Sequence, residues 1–173
     1  MRVHLVKPTR RHAAGLIAAA RSSRTLHRPF GSAPQTPEAI AAYLAKLKQP
    51  QYEGWLIVEK ESGTLAGMIN LNEIVRGGCQ GAYMGYLAFA PHGGKGYMTE
   101  GMTLAINEAF GPLKLHRLEA NIQPGNTASI ALVKRLGFRK EGYSKKYLKI
   151  GGRWRDHERW AILKEEWRAR GKN

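Results

Sequence analysis

Three glycines fall within four positions in the stretch Pro91-His-Gly-Gly-Lys-Gly-Tyr-Met-Thr-Glu100. Without a Cβ, that backbone can come close to a bound group. The stretch joins a strand-like run, Ala82–Phe89, to a helix-like run, Thr99–Phe110. Its N–H groups therefore gather at a helix start, where unpaired donors and the helix dipole favour an anion. Lys95 adds a positive charge. The chemistry this suits is the cradling of a pyrophosphate, and hence a phosphate-bearing cofactor.

Two familiar cradles are excluded. A P-loop needs Ser or Thr after its lysine, and Gly96 follows Lys95. A dinucleotide fingerprint needs a third glycine where Gly94-Lys-Gly96-Tyr-Met-Thr99 has Thr99. What remains is a loop of the Q/R-x-x-G-x-G/A kind with Gly94-Lys95-Gly96-Tyr97 at its core, or an ordinary glycine-rich strand–helix turn. A second segment, Asn126-Thr-Ala-Ser-Ile-Ala-Leu-Val-Lys-Arg-Leu-Gly-Phe138, reads as one compact helix. Asn126 can cap it, Ile130, Val133 and Leu136 follow helical spacing, and Gly137 stands at a left-handed stop.

Loop and helix together resemble the Gcn5-related N-acetyltransferase (GNAT) superfamily. At finer grain, Asn72–Gly77, Tyr83-Met-Gly-Tyr86, His116-Arg117, Leu136–Tyr143 and Gly152-Arg-Trp-Arg-Asp-His157 are similar to the RimJ/RimL-type ribosomal-protein-alanine N-acetyltransferases. The match runs from about Trp55 to Leu163 with its motifs in order. The resemblance implies acetyl-CoA as donor and a splayed parallel strand pair, here Ala82–Phe89 and His116–Ile122. It implies that Leu87, Ala88 and Phe89 offer backbone groups to pantetheine and the thioester carbonyl. Gly93, Gly94, Lys95, Gly96, Tyr97, Met98 and Thr99 would hold the pyrophosphate, with Asn126 and Ser129 nearby and Lys134 or Arg135 reaching a further phosphate.

Three departures from the pattern follow. Gly93 stands where Gln or Arg is usual, and Met98 where Gly or Ala closes the loop. Many relatives place an acidic tyrosine seven residues after the motif asparagine; here that residue is Val133. Ser129, in the N-x-x-S pattern, is the nearest replacement, as a hydrogen-bond donor to the leaving sulfur or as a hydroxyl satisfied within its own helix. Glu119, in its Arg-Leu-Glu-Ala context, is the candidate base or else the ion-pair partner of an arginine such as Arg117. Glu73 and Glu100 are weaker candidates, and the helix dipole alone accounts for Glu100. No metal is called for.

The elements that must position these groups can be read in turn. Arg2–Lys7 alternates as a strand, and Thr9 opens an alanine-rich helix to about Ala20. Arg21–Pro34 lacks a period and reads as a loop. Thr36-Pro-Glu38 starts a helix to about Lys48. Trp55–Glu59 and Leu65–Val75 form a hairpin, and Arg76–Gly81 turns the chain into Ala82–Phe89. After His116–Ile122 and the Asn126 helix, Tyr143–Ile150 and Arg153–Leu163 flank a Gly151-Gly152 hairpin turn. The fold class is α/β with a mixed sheet. The GNAT resemblance makes it mostly antiparallel, of about seven strands, with helices on both faces.

Composition sets the frame. The 173 residues suit a single domain spanning residues 1–173, and 43 % hydrophobic content suits a packed core. No apolar run is long enough for a membrane helix, no signal-peptide block opens the chain, and the lone Cys79 fits a reducing compartment. A cytoplasmic protein without membrane contact is expected. Lys and Arg number 28 against 13 acidic residues, a formal charge of +15, which suggests a polyanionic neighbour such as ribosome or RNA, or solvated basic faces.

Three functions stay in view. The first acetylates the N-terminal alanine or serine amine of a ribosomal protein. An α-amine with a pKa near 8 needs about 3.5 kcal/mol less help than a lysine near 10.4. The second acetylates a small amine, such as an antibiotic, polyamine or aminoacyl-nucleotide, and an acidic cleft would favour it. The third is a basic RNA-associated assembly factor with a vestigial cofactor pocket. Tyr86, Tyr143, Tyr147 and Trp154 are candidate walls for an acceptor peptide, together with Arg21–Pro34.

Overall fold

The computed structural model describes residues 1–171. One mixed sheet organises it, with strands β1 (Val3–Val6), β2 (Glu53–Glu59), β3 (Leu65–Val75), β4 (Gly81–Ala88), β5 (Arg117–Ile122), β6 (Arg139–Ile150) and β7 (Arg153–Leu163) in the order β1-β2-β3-β4-β5-β7-β6. Every neighbouring pair is antiparallel except β4 and β5. Those two pair only over Gly81–Tyr83 against Arg117–Glu119, then part. The expected splayed pair is thus present.

Helices pack on both sides of the sheet. On one face, α4 (Tyr97–Phe110) and α5 (Thr127–Arg135) bring Met102, Ile106 and Val133 against Met84, Leu118, Ala120 and Ile162. On the other, α1 (Ala13–Ser22) and α3 (Pro37–Lys46) set Leu16, Ala20 and Ile40 on Leu56, Met68 and Phe89. Thr36 caps α3, its hydroxyl accepting the Ala39 N–H at 3.2 Å. Gly137, at φ 88°, follows the last turn of α5 as its position after the apolar repeat predicts.

Several boundaries shift by one or two residues, and four departures from the sequence reading are larger. Thr9 introduces a single tight turn, Arg10–His12, before α1, which runs two residues past Ala20. The Arg21–Pro34 stretch is not all loop, for Arg24–His27 forms the short helix α2. Tertiary bonds fix it where local periodicity is lacking: Ser23 and His27 are both buried against the end of β4. β6 begins at Arg139 rather than Tyr143, because its first residues pair with Ala161 and Trp160 of β7. Finally, α6 (Lys164–Arg170) follows β7 directly. Its sequence lacks an apolar stripe. Glu166 accepting the Leu163 N–H at 2.8 Å and the Trp167 indole donating to Asn107 at 2.7 Å anchor it instead.

Candidate active site

The site begins where β4 and β5 separate. In the β3–β4 ladder the Phe89 N–H donates to the Ala66 carbonyl, so odd-numbered residues of β4 face β3. The even-numbered ones, Met84, Tyr86 and Ala88, turn their backbone groups toward the widening gap. Of Leu87, Ala88 and Phe89, only Ala88 can therefore offer a gap-facing N–H. Its carbonyl is already taken: the His27 Nε2–H donates to it at 2.8 Å. Ser23 closes the same corner, its hydroxyl donating to the Ala19 carbonyl at 2.6 Å and accepting the Ala90 N–H at 2.9 Å. The end of β4 is clamped at two points.

The glycine loop continues from that clamp. Gly94 and Gly96 have φ of 75° and 84°, which explains glycine at both. A Cβ on Gly93 or Gly94 would meet nothing within 4 Å, so the cradle is open to a ligand. α4 starts at Tyr97 and aims its unpaired N–H groups into this space. Met98 fits where a small residue is usual because it covers Gly67, whose added Cβ would stand 2.6 Å from the Met98 sulfur.

Arg2 braces the loop from outside. It donates to the Lys95 carbonyl at 2.9 Å and to Glu100 at 2.7 Å, and lies 4.6 Å from the Tyr97 ring centre. Partial burial pulls the Glu100 carboxyl upward, but the Arg2 hydrogen bonds outweigh it and hold the group below its ordinary value. Glu100 is thus a structural anion rather than a base. Nothing local in the sequence joined Arg2 to a loop 93 residues away. Of the two α5 cations, Arg135 reaches the loop, donating to Thr99 Oγ1 at 3.4 Å, whereas Lys134 lies over Trp160 at 5.5 Å. Of the two, Arg135 is thus the cation held beside the start of α4, and Lys134 packs away from it on Trp160.

Beneath the splay, two hydroxyls meet. Asn126 accepts the Ser129 N–H at 3.2 Å, setting the first turn of α5. Ser129 Oγ and Tyr86 Oη share a hydrogen bond of 2.6 Å. Burial pushes the Tyr86 phenol up to about 12, with the Ser129 bond opposing, so the phenol keeps its proton at neutral pH. Ser129 is bonded across the fold instead of to its own helix. Tyr86, expected as an acceptor wall, is instead the partner of Ser129. Val133 is wholly buried in the core and takes no part.

The remaining candidates separate. Glu119 accepts from Arg117 Nε at 2.8 Å, and Arg117 also pairs with Glu141, so the carboxylate belongs to an ion network on the face of β5 opposite the buried Leu118 and Ala120. Glu73 accepts from the Tyr52 hydroxyl at 2.8 Å, on a bulged part of β3. Tyr147 stacks edge-on with the buried His157 at 6.2 Å. Tyr143 donates to Asp156 at 2.7 Å, and Trp154 is 60 % exposed, so neither joins a closed cleft. Among the described residues no cluster of His, Cys, Asp and Glu could hold a metal, and no helix is long and apolar enough to cross a membrane.

The model of the acetyltransferase (GNAT) domain matches residues 2–139. The chain belongs to the GNAT acetyltransferase family. The probable N-acetyltransferase YjcK of Bacillus subtilis is 40 % identical over 124 residues, 72 % of this chain and 68 % of that protein. The [ribosomal protein uS5]-alanine N-acetyltransferase of Escherichia coli is 42 % identical over 109 residues, 63 % of this chain. The match spans only 55 % of that enzyme's length.

Among solved structures, Mycobacterium smegmatis RimJ in complex with CoA-disulfide superposes with a TM-score of 0.83 at 25 % identity, covering 98 % of this chain and 89 % of that one. A Vibrio cholerae spermidine N-acetyltransferase bound to CoA and spermine shares the fold, with a TM-score of 0.81 at 19 % identity and coverages of 96 % and 98 %. The GNAT cofactor is acetyl-CoA, and the open cradle described above fits its pyrophosphate.

Proposed function

We propose that this GNAT domain, working in the cytoplasm, transfers acetyl from acetyl-CoA directly to the N-terminal alanine or serine amine of a ribosomal protein. One observation carries the choice of acceptor. The segment whose Ser23 and His27 clamp the end of β4 carries, on its exposed side, a pocket lined by Arg21, Arg24, Thr25, Arg28 and Pro29. A spermidine-like acceptor carries several positive charges and wants carboxylates there, whereas a peptide α-amine carries one charge at most. The bound arginine at Glu119 agrees with this, for an α-amine near pKa 8 needs only a modest base or a water. The relative of E. coli that acts on ribosomal protein uS5 lends the substrate class.

Acetyl-CoA supplies the acyl thioester. The Gly94–Thr99 N–H groups and Arg135 would hold its phosphates, and the Ala88 N–H would polarise the thioester carbonyl where negative charge develops. Ser129 would keep its proton aimed at the departing sulfur while the Tyr86 O–H donates to Ser129 Oγ. The amine's own proton leaves to water or to Glu119.

The test is thiol release from acetyl-CoA with peptides presenting N-terminal alanine, N-terminal serine or an internal lysine, and with spermidine. Turnover confined to the N-terminal amines is expected. Ser129→Ala should lower kcat by about 10- to 100-fold, the loss of a donor to a developing charge. Faster turnover of spermidine than of any peptide would overturn the reading.

A further inference from the structure

The β6–β7 hairpin carries a surface that acetyl transfer does not use. From Lys145 to Arg155 it holds Lys145, Lys146, Lys149, Arg153 and Arg155 and no carboxylate. Among the described residues none of these five takes part in an ion pair. On the face of Lys149 stands Trp154, 60 % exposed, while its strand neighbours Arg153 and Arg155 project from the other face. Lys149 lies directly across the ladder from Trp154, so ammonium and indole share one face of the ribbon. A flat aromatic with a cation beside it matches a stacked base with its phosphate.

We infer that this hairpin is a docking surface for single-stranded RNA. The inference gives the ribosomal reading its means of approach: a chain of charge +15 gains nothing from a basic protein tail, but is drawn to rRNA. It depends on that reading only for which RNA is met. A second copy of this chain fits the surface poorly. β6 is the edge strand, yet its register breaks between Ser144 and Leu148. There Lys146 takes φ 47° and its N–H donates inward to Asp156 at 2.8 Å. A bulged edge lined with lysine resists strand addition, and two such edges repel.

The experiment uses the full chain and a fluorescein-labelled, uridine-rich RNA of about 16 nucleotides, read by anisotropy between about 50 and 200 mM KCl. Lys145→Gln/Lys146→Gln/Lys149→Gln should reduce the slope of log affinity against log salt by about 2, at about 0.7 per lost phosphate contact. Trp154→Ala should weaken binding about tenfold, with Trp154→Phe restoring most of it and Trp154→Leu not, because stacking needs a ring. The lysine variant should melt as wild type does and acetylate free peptide unchanged, so failure of RNA binding and failure of the acetyl-transfer reading are told apart. Equal RNA affinity in wild type and the lysine variant would overturn the inference. A dimer that the same substitutions dissociate would overturn it in favour of a second copy.

Discussion

In the proposed reaction Ser129 and Tyr86 would divide a task that one tyrosine performs in many relatives. A serine hydroxyl is a weak acid, and the proton of a lone serine rotates freely among partners. With the Tyr86 hydroxyl, 2.6 Å away and kept protonated by burial, as donor to Ser129 Oγ, the serine proton would be left for sulfur. Tyr86→Phe removes that donor and nothing else of size. It should lower kcat about 3- to 10-fold with KM for acetyl-CoA unchanged, the scale of one neutral hydrogen bond. Added to Ser129→Ala it should cost no further rate, since the tyrosine acts through the serine. Steady-state kinetics of the two single variants and the double variant decide this, and additive losses would show Tyr86 acting by itself. Ser129 was legible from its three-residue spacing after Asn126, a local signal. Tyr86 was visible as an aromatic on a strand, but its partner lies 43 residues on and no local pattern joins them. Glu119 and Arg117 sit two apart on one strand and so share a face, which is why their pairing could be foreseen.

The turn between β2 and β3 supports the cofactor loop from below. Glu59 accepts from the Ser62 hydroxyl at 2.5 Å and from the Glu61 and Ser62 N–H groups at 2.9 and 2.8 Å. Ser62 and Thr64 hydroxyls bond at 2.7 Å, and Thr64 bonds His92 Nε2 in the loop at 3.0 Å. The Ser62 hydroxyl first, then the two backbone donors, lower the Glu59 carboxyl from 4.5 to about 2. A carboxyl lowered on folding stabilises the fold fully above pH 4.5, and that contribution fades as pH falls toward 2. Urea melts should therefore find Glu59→Gln less stable than wild type at neutral pH, with the gap closing between those two values. A gap that stays constant with pH would mean the carboxylate's charge is not what its partners stabilise. Elements with a period or a cap were readable: β3 ran over the expected residues, and the Thr36 and Asn126 caps are both made. What escaped were α2 and α6, short helices whose stability comes from Ser23, His27, Glu166 and Trp167 bonding to distant segments.

At the scale of the whole molecule, the charge of +15 acts in two opposite directions. It repels itself, so the compact state loses stability when counterions are scarce. It also attracts an anionic cofactor, most strongly where Arg135 and Lys95 stand over an open loop backed by the N-terminus of α4. Salt screens both effects, because exposed charges interact over only about 10 Å at 0.1 M. Raising KCl from about 20 to 200 mM should therefore lift the melting temperature of the free protein and raise KM for acetyl-CoA. The rate at saturating donor should hardly move, since the groups proposed for the chemical step, Ser129, Tyr86 and the Ala88 N–H, carry no net charge for salt to screen. Thermal melts and initial-rate kinetics in one salt series separate the terms. Melting temperature and KM rising together, with kcat level, would assign the excess charge to self-repulsion in the fold and to cofactor binding, and not to the chemical step. A fall in kcat that follows the rise in KM would instead place an exposed charge in the acetyl-transfer step, and Arg117, which holds Glu119, would be the first residue to replace.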